Sequence, residues 1–263
     1  MNYVITHYTG DLDHPGIRAF VQSTALVKAE VLFFTSNPVV PEAIRNAPNI
    51  HWIICPRVIE PNLQRHYDFL NFLEAEKPIG KFFICDCRDL VFLGDPFQQL
   101  SGHEHLHVFQ ESSRFRNRDE YYNMRWLEMM YPGALDVLGD FPILCGGTIL
   151  AECRETIEAY LRAHTASITR HLPNRTIELN DQATFQEVIR FYTDPTALVI
   201  HTNEEPSLVY TMGCVMDDEY TIRDGRIWVG PHCPPVIHQF DRRYPAFKFI
   251  SDTHPHWPQF PNA

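Results

Sequence analysis

Up to Cys85 the apolar positions alternate between short β-rich runs and stretches with helical spacing. Tyr3–Thr6, Ala29–Thr35, Ile50–Cys55 and Lys81–Cys85 read as strands, and Pro15–Val27, Pro41–Asn46 and Pro61–Glu76 as helices between them. Pro61 opens its helix where a missing N–H costs nothing. Alternation of this kind predicts βαβ units and a mostly parallel central sheet flanked by helices. The run KFFIC at 81–85 is apolar almost throughout, the mark of a central strand covered on both faces. Further on, His105–Gln110 and Pro142–Ala151 read as strands, the second carrying Gly146 and Gly147. Asp119–Tyr131, Glu152–Arg170 and Asp181–Phe191 read as helices, with Asp181 where a carboxylate suits both cap and dipole. Tyr220–Val229 reads as a hairpin around Asp224-Gly225, and Val236–Phe240 as a last short strand. No repeat or linker interrupts the chain, so one α/β domain is expected over 1–245. The proline-rich stretch 246–263 is expected to wrap on that domain or be disordered, without packing as an element.

Composition narrows the function classes. A net charge of −11 over 263 residues argues against a sequence-independent grip on nucleic acid, which needs clustered Lys and Arg. The seven cysteines fall mostly inside apolar runs, which fits a reduced, cytoplasmic protein better than a disulfide framework. Cys85 and Cys87 lack the second close pair that a four-ligand zinc site requires. Neither a signal-type N-terminus nor an apolar stretch long enough for a transmembrane segment is seen.

In open parallel α/β sheets ligands bind beyond the carboxyl ends of the strands, which directs attention to the residues after KFFIC. There Asp86 and Asp89 flank Arg88 in a tight bend. Two carboxylates so placed can converge on one hard cation, Mn²⁺ or Mg²⁺, which can also bridge a diphosphate. The segment FFICDCRDLVFLGDPF resembles the Asp-rich motif of GT-A-fold glycosyltransferases, in the form D-x-R-D followed by an apolar run and D-P-F. The commoner form, D-x-D, has an acid where Arg88 stands. Four further stretches resemble features of that superfamily in the same order. Thr6-His7-Tyr8-Thr9-Gly10 resembles the turn that holds the nucleoside. Leu144-Cys145-Gly146-Gly147-Thr148 and Asn180-Asp181-Gln182 resemble the acceptor-side strand and the helix start that faces the donor sugar. Val236–Arg242 resembles the C-terminal strand that supplies a His ligand.

The resemblance implies a single GT-A (Rossmann-like) domain. It implies Mn²⁺- or Mg²⁺-dependent transfer of a sugar from a nucleotide-diphosphate sugar, UDP- or GDP-linked, to a glycan or other acceptor. Asp86, Asp89 and His238 would hold the metal, and Thr6, Thr9, Gly10, Gly146 and Gly147 would line the ligand. Asp181 would stand by the anomeric carbon or an acceptor hydroxyl, and Arg88 would brace the acids or touch phosphate. The N-D-Q stretch looks more like the retaining members.

Simpler roles compete for the same residues. Asp86 and Asp89 can cap a turn, Asp95 before Pro96 reads as a turn former, and a lone His in an apolar strand is often a hydrogen-bonded core residue. Asp181 can serve only as an N-cap, and the glycine pair only as a bulge. His103, His105 and His107 alternate, but with no acid or Cys nearby they read as an exposed face. The run Tyr121–Trp126 reads first as core packing and second as a sugar-stacking surface. Two other functions remain open: a phosphohydrolase with Asp86 as nucleophile, and a non-catalytic nucleotide-sugar or metal-binding module.

Overall fold

The computed structural model describes residues 1–100, 104–172, 180–204 and 208–253. His103 and the stretch His254-Pro255-His256-Trp257 lie outside them. The first half builds β1 (Asn2–His7), α1 (Pro15–Ser23), β2 (Glu30–Thr35), α2 (Glu42–Arg45), β3 (Ile50–Ile54), α3 (Pro61–Glu76), β4 (Lys81–Cys85) and β5 (Leu90–Phe92). There follow β6 (Leu106–Gln110), α4 (Tyr121–Met130), α5 (Ala134–Leu138), β7 (Leu144–Ala151), α6 (Arg154–His171) and α7 (Asp181–Phe191). The chain continues through β8 (Leu198–His201), β9 (Val209–Thr211), β10 (Thr221–Arg223), β11 (Arg226–Trp228), β12 (Val236–His238) and α8 (Tyr244–Thr253).

Seven strands form the central sheet in the order β3-β2-β1-β4-β7-β6-β8. The β2–β3, β1–β2, β1–β4 and β6–β8 pairs are parallel, and both pairings of β7 are antiparallel. The protein is therefore mixed α/β, with a mostly parallel central sheet in which β7 alone is reversed. Strand alternation divides the core in two. Val4, Val31, Phe33 and Phe83 point to the face covered by α1, where Ile17 and Phe20 meet them. Ile5, Leu32, Phe34, Phe82 and Ile84 point to the other face, packed with Phe69 and Leu73 of α3, Ile157 and Leu161 of α6 and Phe185 of α7. Neighbouring residues of one strand thus serve opposite layers, which is why these strands are apolar at almost every position.

A second sheet, β5-β12-β9, packs beside the first with a third cluster that includes Val91, Tyr210, Ile237 and Phe240. Here the structure corrects the expectation for the C-terminal stretch. Residues 244–253 form α8, and Ala246, Phe247 and Ile250 are buried at helical spacing against that cluster. Pro245 stands in the first turn of the helix, where it is tolerated, and the prolines at 255–261 lie outside the described residues. No helix of the described residues is long and apolar enough to cross a membrane.

Candidate metal centre

β1 feeds β2 on one side and lies against β4 on the other, so the strand order reverses at the β1–β4 boundary. A crevice opens at the carboxyl ends of strands at such a point. Asp86 follows β4 directly, and its N–H donates to the Gly147 carbonyl of β7 (2.8 Å). The chain then bends through Arg88 and Asp89 into β5. β12 pairs antiparallel with β5 in the register His238↔Leu90, which sets the histidine opposite the residue after Asp89. Two local pairings thus assemble a cluster from residues about 150 positions apart in sequence.

His238 Nε2 lies 3.4 Å from Asp86 Oδ2 and 3.6 Å from Asp89 Oδ1. Its side chain is 1% exposed, and Nε2 has no hydrogen-bond partner among the described residues. Nδ1 is 3.2 Å from Cys145 Sγ. Adjacent ligands of a six-coordinate Mg²⁺-sized ion stand about 3.0 Å apart, so each carboxylate oxygen lies close to a ligand's distance from Nε2, and one ligand atom from each of the three residues falls within 4.8 Å of the others. A buried imidazole nitrogen that makes no hydrogen bond and is aimed at two carboxylates fits a divalent cation well. Burial disfavours a charged ring at His238, but the Cys145 sulfur and the facing carboxylates outweigh it and hold its pKa well above the imidazole range. The cluster demands a positive charge, which a proton or a metal ion can supply.

Arg65 is the residue that the sequence did not reveal. It reaches from α3 to Asp86 Oδ1 and Asp181 Oδ2, at 2.5 Å each, and is itself buried. Burial alone would push the Asp86 carboxyl up, yet Arg65 and His238 hold it below the usual carboxylate range. One signal was present: Arg65 shares a helical row with Phe69 and Leu73 at i, i+4 and i+8, so it lies on the inward stripe of α3. Asp181 occupies the first turn of α7, but the cap is Asn180, whose Oδ1 accepts from the Gln182 N–H (2.7 Å). The Asp181 carboxylate is left to Arg65 and to His66, 3.6 Å away. Gln182 in turn accepts from Gly146 N–H (2.7 Å) and donates to the Leu144 carbonyl (2.6 Å), holding the stretch of β7 where its pairing with β6 slips.

A cavity of about 430 Å³ opens over the cluster. Asp86, Arg88, Asp89, Gly146, Gly147 and Asp181 all line it. Two sequence expectations need correction, for the nucleoside-side turn and for the aromatic run. Thr6 is wholly buried and spends its hydroxyl on the Cys85 carbonyl (2.8 Å), while Thr9 and Gly10 lie off the cavity wall. Their neighbours His7 and Tyr8 take that place. Arg88 faces Asp89 (3.9 Å) and Asp241 (3.8 Å), so it braces one of the two acids and leaves Asp86 to Arg65. Asp95 does form a turn, accepting from Phe97 N–H at 3.1 Å. Tyr121 and Tyr122 are exposed and not core; Tyr122 and Trp126, rings 5.9 Å apart, line the cavity mouth. Glu111, also unanticipated, lies on the wall beside Cys214, and burial pushes its carboxyl up.

These features define an α/β protein with an acid-and-histidine centre at the switch point of its main sheet. No protein-family profile and no curated protein matches the chain.

Proposed function

We propose that the chain is a metal-dependent glycosyltransferase of the GT-A type, moving a sugar from a UDP- or GDP-linked donor to a glycan or other acceptor. The observation that carries this reading is the buried Nε2 of His238, without a hydrogen bond among the described residues, facing Asp86 and Asp89 at the carboxyl edge of β4. Mn²⁺ or Mg²⁺ held by these three would offset the charge that grows on the leaving diphosphate. Arg88 and Arg242, both on the cavity wall, offer guanidinium donors to phosphate oxygens. His7, Tyr8 and Asn62 line the side suited to a nucleoside, and Tyr122 and Trp126 present aromatic faces suited to the C–H surface of an acceptor sugar. Asp181, paired with Arg65, faces the cavity. A carboxylate whose oxygen is already engaged by a guanidinium is better placed as an electrostatic partner for positive charge at the anomeric carbon than as the acceptor of a hydroxyl proton. That favours retention, as does the N-D-Q stretch. A cytoplasmic setting belongs to the same reading and rests on seven cysteines that are all free thiols.

The test is release of nucleoside diphosphate from a panel of nucleotide sugars by chelator-treated protein, with and without Mn²⁺. Mn²⁺-dependent release from at least one donor, lost in Asp89→Ala with the circular dichroism unchanged, is the expected result. Equal turnover by Asp89→Ala, or phosphate release from simple phosphomonoesters in place of donor turnover, would overturn the reading.

A further inference from the structure

A second group of metal-ligating side chains occupies the opposite edge of the main sheet. Glu152 follows the last residue of the reversed strand β7, and His105 precedes the first residue of β6, so both stand at the amino ends of the parallel strands. The register Leu106↔Ala151 sets His105 and Glu152 side by side, and the Glu152 N–H donates to the His105 carbonyl (3.1 Å). His107, two residues further along β6, shares the face of His105 by strand alternation. The sequence held only the histidines; the acid comes from 45 residues away and is delivered by the pairing of β6 with β7. The exposed face read from the alternation is thereby corrected, since the His107 side chain is 8% exposed and Glu152 only 1%.

The geometry is that of a ligand set. Glu152 Oε1 is 2.9 Å from His107 Nε2 and 3.8 Å from His105 Nδ1, and all three atoms lie within 4.8 Å of one another. Tetrahedral ligands around Zn²⁺ stand about 3.4 Å apart, a value these distances bracket. Groups behind the set orient two of its members. Lys81 Nζ lies 4.0 Å from Glu152 Oε2, and His107 Nδ1 lies 2.9 Å from Nε2 of His201 on β8. Outer partners of this kind fix the ring orientation of a ligating imidazole. Two imidazoles and one carboxylate suit a borderline cation better than Mg²⁺, which prefers oxygen alone.

We propose that His105, His107 and Glu152 form a second divalent-cation site of the Zn²⁺ class, with His201 as the positioning residue behind His107. The His105 side chain is the most exposed of the three, at 31%. A cation there clasps β6 to β7 and, through His201, to β8, at the edge remote from the cavity. The proposal is independent of the chemistry assigned to the first centre.

The test uses the full chain carrying Asp89→Ala to weaken the first centre, stripped with chelator and titrated with Co²⁺ as a spectroscopic stand-in for Zn²⁺. One equivalent should bind with the visible bands of tetrahedral nitrogen and oxygen coordination, and Zn²⁺ should displace it. His105→Ala on this background should abolish the bands while the circular dichroism is kept. His201→Ala should weaken binding about tenfold, the lower end of what loss of an outer partner costs. Bands that survive His105→Ala, a sulfur-to-cobalt charge-transfer band marking a site at Cys55, or no stoichiometric binding would each overturn the proposal.

Discussion

A β-carbon at Gly147 would collide with Asp86 Oδ2 and lie 2.7 Å from His238 Cε1. The missing side chain therefore matters to the site, because it lets β7 pass close behind the acid and imidazole that face each other across the centre. Gly147→Ala should leave the fold intact, because the strand itself tolerates a methyl group, but it should push the two ligands apart. A displacement near 1 Å in a catalytic constellation costs about 100-fold in turnover. Donor turnover at saturating Mn²⁺, measured beside a thermal melt, checks this; unchanged turnover would show that the ligands do not meet there. Arg65 works at the same scale with charge in place of space. Buried between Asp86 and Asp181, it lets the two acids coexist beside His238 and Asp89, and a lysine would not span both with one planar fork.

At the scale of elements, the centre depends on β12 keeping its register with β5. The side chains that hold this register lie behind it: Ile237 and Val91 pack in one cluster with Phe240 and with Ala246, Phe247 and Ile250 from β12 onward through α8. The C-terminal helix is thus part of the machinery that aims His238. Phe247→Ala should destabilise the protein by about 3 kcal/mol, the low end for removing a buried ring. Urea unfolding would read the loss as a lowered midpoint with an unchanged slope. A loss below about 1 kcal/mol would mean that α8 only rests on the surface.

For the whole molecule, several buried or partly buried thiols hold their protons. Burial, helped by Asp68, pushes Cys55 up to about 12, and burial also pushes Cys85 and Cys214 up. In the unfolded chain such thiols ionise at about 8.5. Between those values the folded state holds protons that the unfolded state gives up. Their contribution is complete below about pH 8.5 and is lost as pH rises towards about 12. The urea midpoint should accordingly fall between about pH 8 and about pH 10, with a shallower fall in Cys55→Ser. A flat midpoint in the wild-type protein would sink this account.

Period and punctuation in the sequence determined the first half of the fold. α3 and β4 form over the residues that the pattern marks, because helical spacing and a fully apolar run are local signals. The Asp-rich bend after β4 was legible for the same reason, since a strand's end can be read from the chain alone. β5, β8 and β9, three or four residues long, were not read. Tertiary structure decided everything that joins distant positions. It brought His238 to Asp89 through β12 and β5, Arg65 to Asp181 across two helices, and Glu152 to His107 through β6 and β7. It also withdrew Thr6 from the cavity, because strand parity turned its hydroxyl towards the Cys85 carbonyl. A sequence records which residues have the chemistry to bind; strand pairing and helix packing determine which of them share one point in space.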